Sequence, residues 1–290
     1  RIFGIGLVKT VEDFGIQGEL PSHPELLDWL ADEFVSNGWN VKEIQKLILM
    51  SATYRQSSHA GQVAYRNDPA NRNLARGPRF RLSAEEIRDS ALAVSGSLVR
   101  QLGGKSVYPY QPDGLWMELN NRPGYSKAYK AGSGDDLYRR SLYTFWKRTV
   151  PSPMLVTLDA PTREFCTVAR SRTNTPLQSL LLLNGPQFVE AARHLASRLI
   201  REGGESVEDR IELGFRLVTS RVPSVQETRF VREVYDQQLE KFSMDEEAAQ
   251  RLLNIGESKM EVGQADLAEL AAWTSACRLL LNLDEAMTKN

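Results

Sequence analysis

The sequence predicts a mainly α fold, an irregular multi-helix domain with at most a short β ribbon and a C-terminal helical bundle. Three observations carry this. Apolar residues recur at helical spacing in several segments that open on capping residues and close on glycine or asparagine. One run alone, residues 141–146, has strand character. Apolar residues make up 41% and charged residues 25% of the 290, the balance of a folded globular chain rather than of a disordered or fibrous one. No run approaches the ~18 apolar residues that a membrane span needs.

Taken in order, the first twenty residues read as irregular, since Gly4, Gly6, Gly15, Gly18 and Pro21 are too dense for a helix interior. A helix is expected from Ser22-His23-Pro24-Glu25, with Ser22 as N-cap and Glu25 as in a capping box. Leu26, Leu27, Leu30, Phe34 and Val35 follow at helical spacing, and Asn37-Gly38 ends it. A second helix over 41–51 would bury Ile44, Leu47 and Ile48. Asp68-Pro69 opens a turn, and Ser83-Ala84-Glu85-Glu86 caps a third helix reaching about Val99. Residues 103–136 combine dense glycine with Tyr108, Tyr110, Trp116, Tyr125 and Tyr129, which predicts a long ordered loop. Next comes the strand candidate at 141–146, with Phe80-Arg81-Leu82 as its expected ribbon partner.

From Thr175 onward the pattern is helical. Thr175-Pro176-Leu177-Gln178 forms a capping box, Asn184-Gly185-Pro186 breaks the run, and the next helix continues to about Arg201 with Phe188, Ala192, Leu195 and Leu199 inward. Ser224-Val225-Gln226-Glu227 opens a helix ending near Phe242, and residues 268–283 close the chain with Trp273 in the core. The polar stretch 244–263 reads as a linker. The expected organisation is an N-terminal part, 1–172, with a basic centre and a helical part, 173–290, within one integrated domain.

The formal net charge is −1, which argues against a dedicated nucleic-acid binder, but the charge is unevenly spread. Residues 55–172 carry nineteen basic and ten acidic side chains, whereas 173–290 carry thirteen and nineteen. Arg139, Arg140, Trp146, Lys147 and Arg148, followed by Arg163, Arg170 and Arg172, are therefore the candidate ligand-binding residues. An aromatic platform edged with guanidinium forks suits anionic polysaccharide; the same residues could instead form structural cation–π pairs and ion pairs. Asp13, Glu19 and His23 are weaker catalytic candidates, a pair of carboxylates and an imidazole beside permissive glycines. Cys166 beside Arg163, with His23 or His194 as base, is a nucleophile candidate set against a small buried hydrophobe. Asp159 reads as a helix N-cap. No metal site is expected, since Cys166 and Cys277 lie 111 positions apart and His23, His59 and His194 are the only imidazoles.

Longer motifs carry a resemblance. Residues 10–19 (Thr-Val-Glu-Asp-Phe-Gly-Ile-Gln-Gly-Glu), 21–30 (Pro-Ser-His-Pro-Glu-Leu-Leu-Asp-Trp-Leu), 51–56 (Ser-Ala-Thr-Tyr-Arg-Gln), 138–148 (Tyr-Arg-Arg-Ser-Leu-Tyr-Thr-Phe-Trp-Lys-Arg), 173–178 (Thr-Asn-Thr-Pro-Leu-Gln) and 280–285 (Leu-Leu-Asn-Leu-Asp-Glu) together resemble a planctomycete-specific C-terminal domain of unknown function, family 1553 of its series, which ends large cytochrome-c-containing secreted proteins. The family pattern opens with an Asn-Arg-x-Trp helix before Phe3-Gly4-Ile5-Gly6, so a preceding portion is expected, as Arg1 in first place also suggests. The resemblance implies an extracytoplasmic setting, periplasmic or secreted, and an upstream domain of the same polypeptide as partner. Haem is implied only in that upstream domain, and no cofactor is expected in this chain, which lacks Cys-x-x-Cys-His. The function so implied is a structural or binding module, with anionic polysaccharide as a candidate ligand. The competing expectation is a carbohydrate-active or redox enzyme whose site is shared with the upstream domain.

Overall fold

The computed structural model describes residues 2–119, 128–258 and 266–289. Tyr125 of the glycine- and tyrosine-rich stretch and residues 259–263 of the polar stretch lie outside them. The described chain is mainly α, as expected. Its elements are α1 (Pro24–Ser36), α2 (Val41–Met50), α3 (Ala52–Arg55), α4 (Gln62–Asn67), β1 (Phe80–Arg81), α5 (Ala84–Val94), α6 (Leu115–Leu119), α7 (Pro153–Thr157), α8 (Pro176–Asn184), α9 (Pro186–Glu202), α10 (Val207–Thr219), α11 (Val225–Met244), α12 (Glu246–Leu253), α13 (Leu267–Leu281), α14 (Asp284–Met287) and β2 (Thr288–Lys289). No helix among the described residues is long and apolar enough to cross a membrane. Two compact units are distinguished, residues 1–81 with 167–169 and 288–290, and residues 82–166 with 170–287.

In the first unit α1 begins one residue later than its expected cap. His23 occupies the N-cap position without a side-chain bond, while the Ser22 hydroxyl donates to the Leu7 carbonyl at 3.3 Å, so the expected capping box does not form. Asn40 caps α2 by accepting from the Lys42 and Glu43 amides. Asp68 organises the turn after α4, its carboxylate accepting from the Arg72 and Asn73 amides at 2.8 Å each. These two backbone bonds hold its carboxyl below the usual carboxylate range. The helix periodicity is right, but the burial expected from it is not realised: Ile44 and Ile48 are only half-buried and Leu47 is 37% exposed. Phe80–Arg81 does form a ribbon strand, pairing antiparallel with Thr288–Lys289 rather than with residues 141–146.

The second unit is a helical bundle built around α9 and α13. Phe188, Ala192, Leu195 and Leu199 of α9 are buried as their spacing predicts, and they pack in one core with Ala271, Trp273, Ala276 and Leu280 of α13. Capping boxes open α5 (Ser83 with Glu86), α8 (Thr175 with Gln178) and α11 (Ser224 with Glu227). Helix α5 stops at Val94 rather than near Val99, because Gly96 turns the chain at φ 81°. Two elements escape the sequence pattern. Helix α10 was hidden in a run of mixed charge, and α12, inside the expected linker, buries Ala249 and Leu253 completely.

Residues 141–146 are not a strand. Ser141–Tyr143 is a 3-10 turn, followed by a single parallel bridge from Thr144 to Val107. The reason lies in α5. Arg88, fully buried, donates to the Arg139 carbonyl at 2.8 Å and the Leu137 carbonyl at 2.6 Å, and Asp89 accepts from both the amide and the hydroxyl of Ser141. Side chains thus take the backbone groups at the entry to the segment, and beyond it, among the described residues, Val107 alone exchanges bonds with the Tyr143 carbonyl and the Phe145 amide, at 2.8 Å each. Burial pushes the Arg88 guanidinium down to about 10, which leaves it charged at neutral pH.

Candidate functional site

Helices α1 and α2 of the first unit bound a groove of about 960 Å³. Leu26, Trp29 and Leu30 come from α1 and Ile44, Leu47 and Ile48 from α2, while residues 2–7 supply part of the wall. The wall is apolar and its rim carries Glu33, Glu43, Lys46 and Arg72. No Val, Ile, Leu, Met, Phe, Tyr or Trp side chain of the described first unit is buried. Trp29 is 50% exposed and Leu26 36%. Two amphipathic helices that show their apolar stripes to water are energetically unfavourable unless something covers them, at about 25 cal/mol per Å² of apolar surface.

The three catalytic candidates are placed as follows. Asp13 accepts from the Gly15 amide at 2.7 Å, closing a turn, and Glu19 pairs with Lys9 at 3.5 Å. The Thr10 hydroxyl donates to the Asp13 carbonyl and accepts from the Glu19 amide, so these two positions are tied through their backbone. His23 stands at the groove rim with its Nδ1 3.0 Å from Ser22 Oγ; neither Asp13 nor Glu19 lines that groove.

The central cations of the second unit are dispersed among separate structural tasks. Arg139, 4% exposed, donates to the carbonyls of Lys105, Gln101 and Gly103 and stacks on Tyr143 at 3.9 Å. Arg170 Nη1 donates to both carboxylate oxygens of Glu85, at 2.8 and 3.0 Å. Arg163 lies over Trp146 at 4.6 Å, and Lys147 over Trp116 at 4.2 Å. Trp146 itself donates to the Thr162 carbonyl at 2.9 Å, and Phe145 stacks on Tyr108. Arg140, Arg148 and Arg172 are exposed. Cys166 is a free, exposed thiol rather than a buried hydrophobe, and Cys277 is free and buried. Asp159, with φ 68°, caps no helix; it accepts from the Thr173 amide and hydroxyl and from Gln178, fixing the entry to α8.

Sequence reasoning missed a dense polar constellation. Glu190 of α9, with no exposed surface, accepts from the Tyr110 phenol at 3.0 Å, the Tyr138 phenol at 2.9 Å and the Ser258 amide at 2.8 Å. One turn on, Arg193 lies 3.5 Å from the Glu190 carboxylate and donates to the carbonyls of Leu253, Ile255 and Ser258. His194 Nε2 is 2.8 Å from Ser258 Oγ. Burial, and then the Glu190 charge, push the Tyr138 phenol up to about 12 and Tyr110 higher still. Gly256 makes the approach possible: its φ is 95°, and a Cβ there would meet the Glu190 carboxyl carbon at 2.5 Å. The i, i+3 spacing of Glu190 and Arg193 was visible in the sequence, but it reads as an ordinary surface pair; tyrosines 52 and 80 positions away gave no signal.

A family model described as PSD1, protein of unknown function (DUF1553), matches residues 1–235. No curated protein and no solved structure matches the chain.

Proposed function

The chain belongs to the PSD1 family of unknown function (DUF1553), and from that premise we propose that it is a structural and binding module of an exported, cytochrome-c-associated polypeptide, docking to the adjoining domain of that polypeptide through the α1–α2 groove. One observation carries the reading: a groove of about 960 Å³ walled by apolar side chains, in a unit whose large apolar residues all remain at least partly exposed. The family resemblance supplies the occupant. Residues 2–7 form part of the wall, so a domain joined at residue 1 would be tethered at the groove edge and present there at high effective concentration. Apolar side chains of that domain would fill the space between Trp29 and Leu47, and rim charges such as Glu43 and Lys46 would set register rather than affinity.

The test is calorimetric titration of the separately purified adjoining domain into this chain. Association is expected to weaken at least tenfold in Leu47→Asp and in Trp29→Ala, with the thermal unfolding of the second unit unchanged. Undiminished affinity in both variants would overturn the reading. So would a homodimer of this chain, seen by light scattering, that Leu47→Asp dissociates.

A further inference from the structure

A second concavity, in the second unit and independent of the groove, has the opposite character. It occupies about 790 Å³ between the end of α5 and the C-terminal half of α9. Among the described residues Arg100, Arg193, Arg198 and Arg201 line it, against one lining carboxylate, that of Glu202. We propose that this cleft is a binding site for a small hydrophilic polyanion, a sugar-like body bearing two or more sulfate or phosphate ester groups.

The four guanidinium groups are held in different ways, and the difference resembles that of a prepared site. Arg193 and Arg198 are fixed from behind. Arg193 spends its donors on three backbone carbonyls and on Ser258, and Arg198 donates to the Val94 carbonyl at 2.9 Å while pairing with Glu202 at 2.8 Å. With Glu190 3.5 Å from Arg193 and Glu202 shared by Arg198 and Arg201, the four guanidinium groups face two carboxylates and leave a local excess of two positive charges. Among the described residues Arg201 is tied only to Glu202, at 2.9 Å, and it is 64% exposed. Arg100 is exposed and has no partner among the described residues. These two are available to close on a ligand, each offering a planar fork that matches two oxygens of a sulfate or phosphate group.

Charge accounting points the same way. Residues 173–290 carry an acidic excess, six more carboxylates than cations, yet α9 turns three arginines into one cleft. Like charges gathered in a concave wall raise the local potential and repel one another until an anion enters. Hydroxyls of Ser197 and Ser258 also line the space and can donate to ester oxygens or to sugar hydroxyls, whereas the Ser95 hydroxyl donates to the Leu92 carbonyl. Among the described residues His194 is the one ring in the lining, its Nε2 2.8 Å from Ser258 Oγ, and the rest of the wall is small or polar, which suits a polar ligand body. The volume lies within the usual range for small-molecule sites, about 300–1,000 Å³.

The experiment is isothermal titration of the whole chain with sucrose octasulfate and, separately, with inositol hexakisphosphate, at 50 and 500 mM NaCl. Binding by at least one probe is expected at low salt and should weaken at high salt, and the probe that binds more tightly identifies the ester as sulfate or phosphate. Affinity should fall at least tenfold in Arg100→Ala/Arg201→Ala, whose two side chains are exposed and whose unfolding temperature should match the parent. Arg140→Ala/Arg148→Ala, outside the cleft, should bind as the parent does. The proposal is overturned by absence of binding to both probes at 50 mM NaCl, by equal affinity in the Arg100/Arg201 variant, or by loss of binding in the Arg140/Arg148 variant.

Discussion

Replacing Glu190 by Gln removes one charge and almost no volume, so its effect isolates the electrostatics of the buried cluster. The carboxylate is fully buried and serves three donors, with Arg193, itself 4% exposed, 3.5 Å away. Glutamine keeps one acceptor oxygen for Tyr138 and the Ser258 amide. Its amide nitrogen then faces the Tyr110 phenol, whose oxygen already accepts from the Glu257 amide at 2.7 Å. The Tyr110 proton is left without its acceptor, and Arg193 loses its counter-charge. A hydrogen bond to a charged group contributes about 1.5–3 kcal/mol, and breaking a buried pair costs about 3–5 kcal/mol; the carbonyls that continue to solvate Arg193 place this case near the lower end, at about 3 kcal/mol. For a unit of this size that corresponds to a fall in Tm of roughly 6–12 °C. Denaturant unfolding followed by circular dichroism measures it directly. A double-mutant cycle with Tyr138→Phe should show a coupling of about 1 kcal/mol, since the phenol then donates to a neutral oxygen. If Glu190→Gln unfolds within 0.5 kcal/mol of the parent, or the cycle is additive, the carboxylate does not hold these elements together and the account of the cluster is wrong.

Two further predictions concern single groups. Cys166 is exposed and Cys277 is fully buried, with burial pushing its thiol well up; an aromatic disulfide reagent at pH 8 should therefore titrate one thiol quickly in the native chain and the second only after denaturant is added, and two fast thiols would contradict the packing of α13. The Arg221 guanidinium beside Glu227, with the Ser224 cap, holds the Glu227 carboxyl down to about 2, from 4.5. A depressed folded-state value means that this contribution is fully present above the unfolded value and is lost as pH falls from about 4.5 through about 2. With both partners more than a third exposed, screening reduces it to about 1 kcal/mol. Glu227→Gln should flatten the acid limb of a stability profile in that window while leaving the slope above pH 6 alone; an unchanged acid limb would assign the loss to other carboxylates.

The α1–α2 groove and the arginine cleft place opposite physical demands on the two units. The groove gains from excluding water and should be insensitive to salt, whereas the cleft gains from concentrating like charge and should weaken as salt screens it. The two tests therefore fail independently: a salt-resistant association lost with Leu47→Asp speaks for the first, and a salt-sensitive one lost with Arg100→Ala/Arg201→Ala for the second.

The sequence by itself determined what is local. Capping boxes at Ser83, Thr175 and Ser224 and the stripe Phe188, Ala192, Leu195, Leu199 fix helices and their inward faces within a few residues, because a cap bond and a 3.6-residue period depend only on near neighbours. Family membership was also legible, in long motifs rich in Trp, Arg and Pro. Tertiary structure decided the rest. Residues 141–146 have strand composition, yet Arg88 and Asp89, more than fifty positions earlier, claim the Arg139 carbonyl and the Ser141 amide at their entry, and among the described residues Val107 alone pairs with the backbone beyond. Arg139 and Arg170, ligand candidates in the sequence, are bonded to Lys105, Gln101, Gly103 and Glu85, while Arg100 and Arg201, unremarkable in sequence, share a cleft. Whether a guanidinium is a strut or a binding group depends on which acceptors reach it, and those arrive from distant parts of the chain that only folding brings within hydrogen-bond distance.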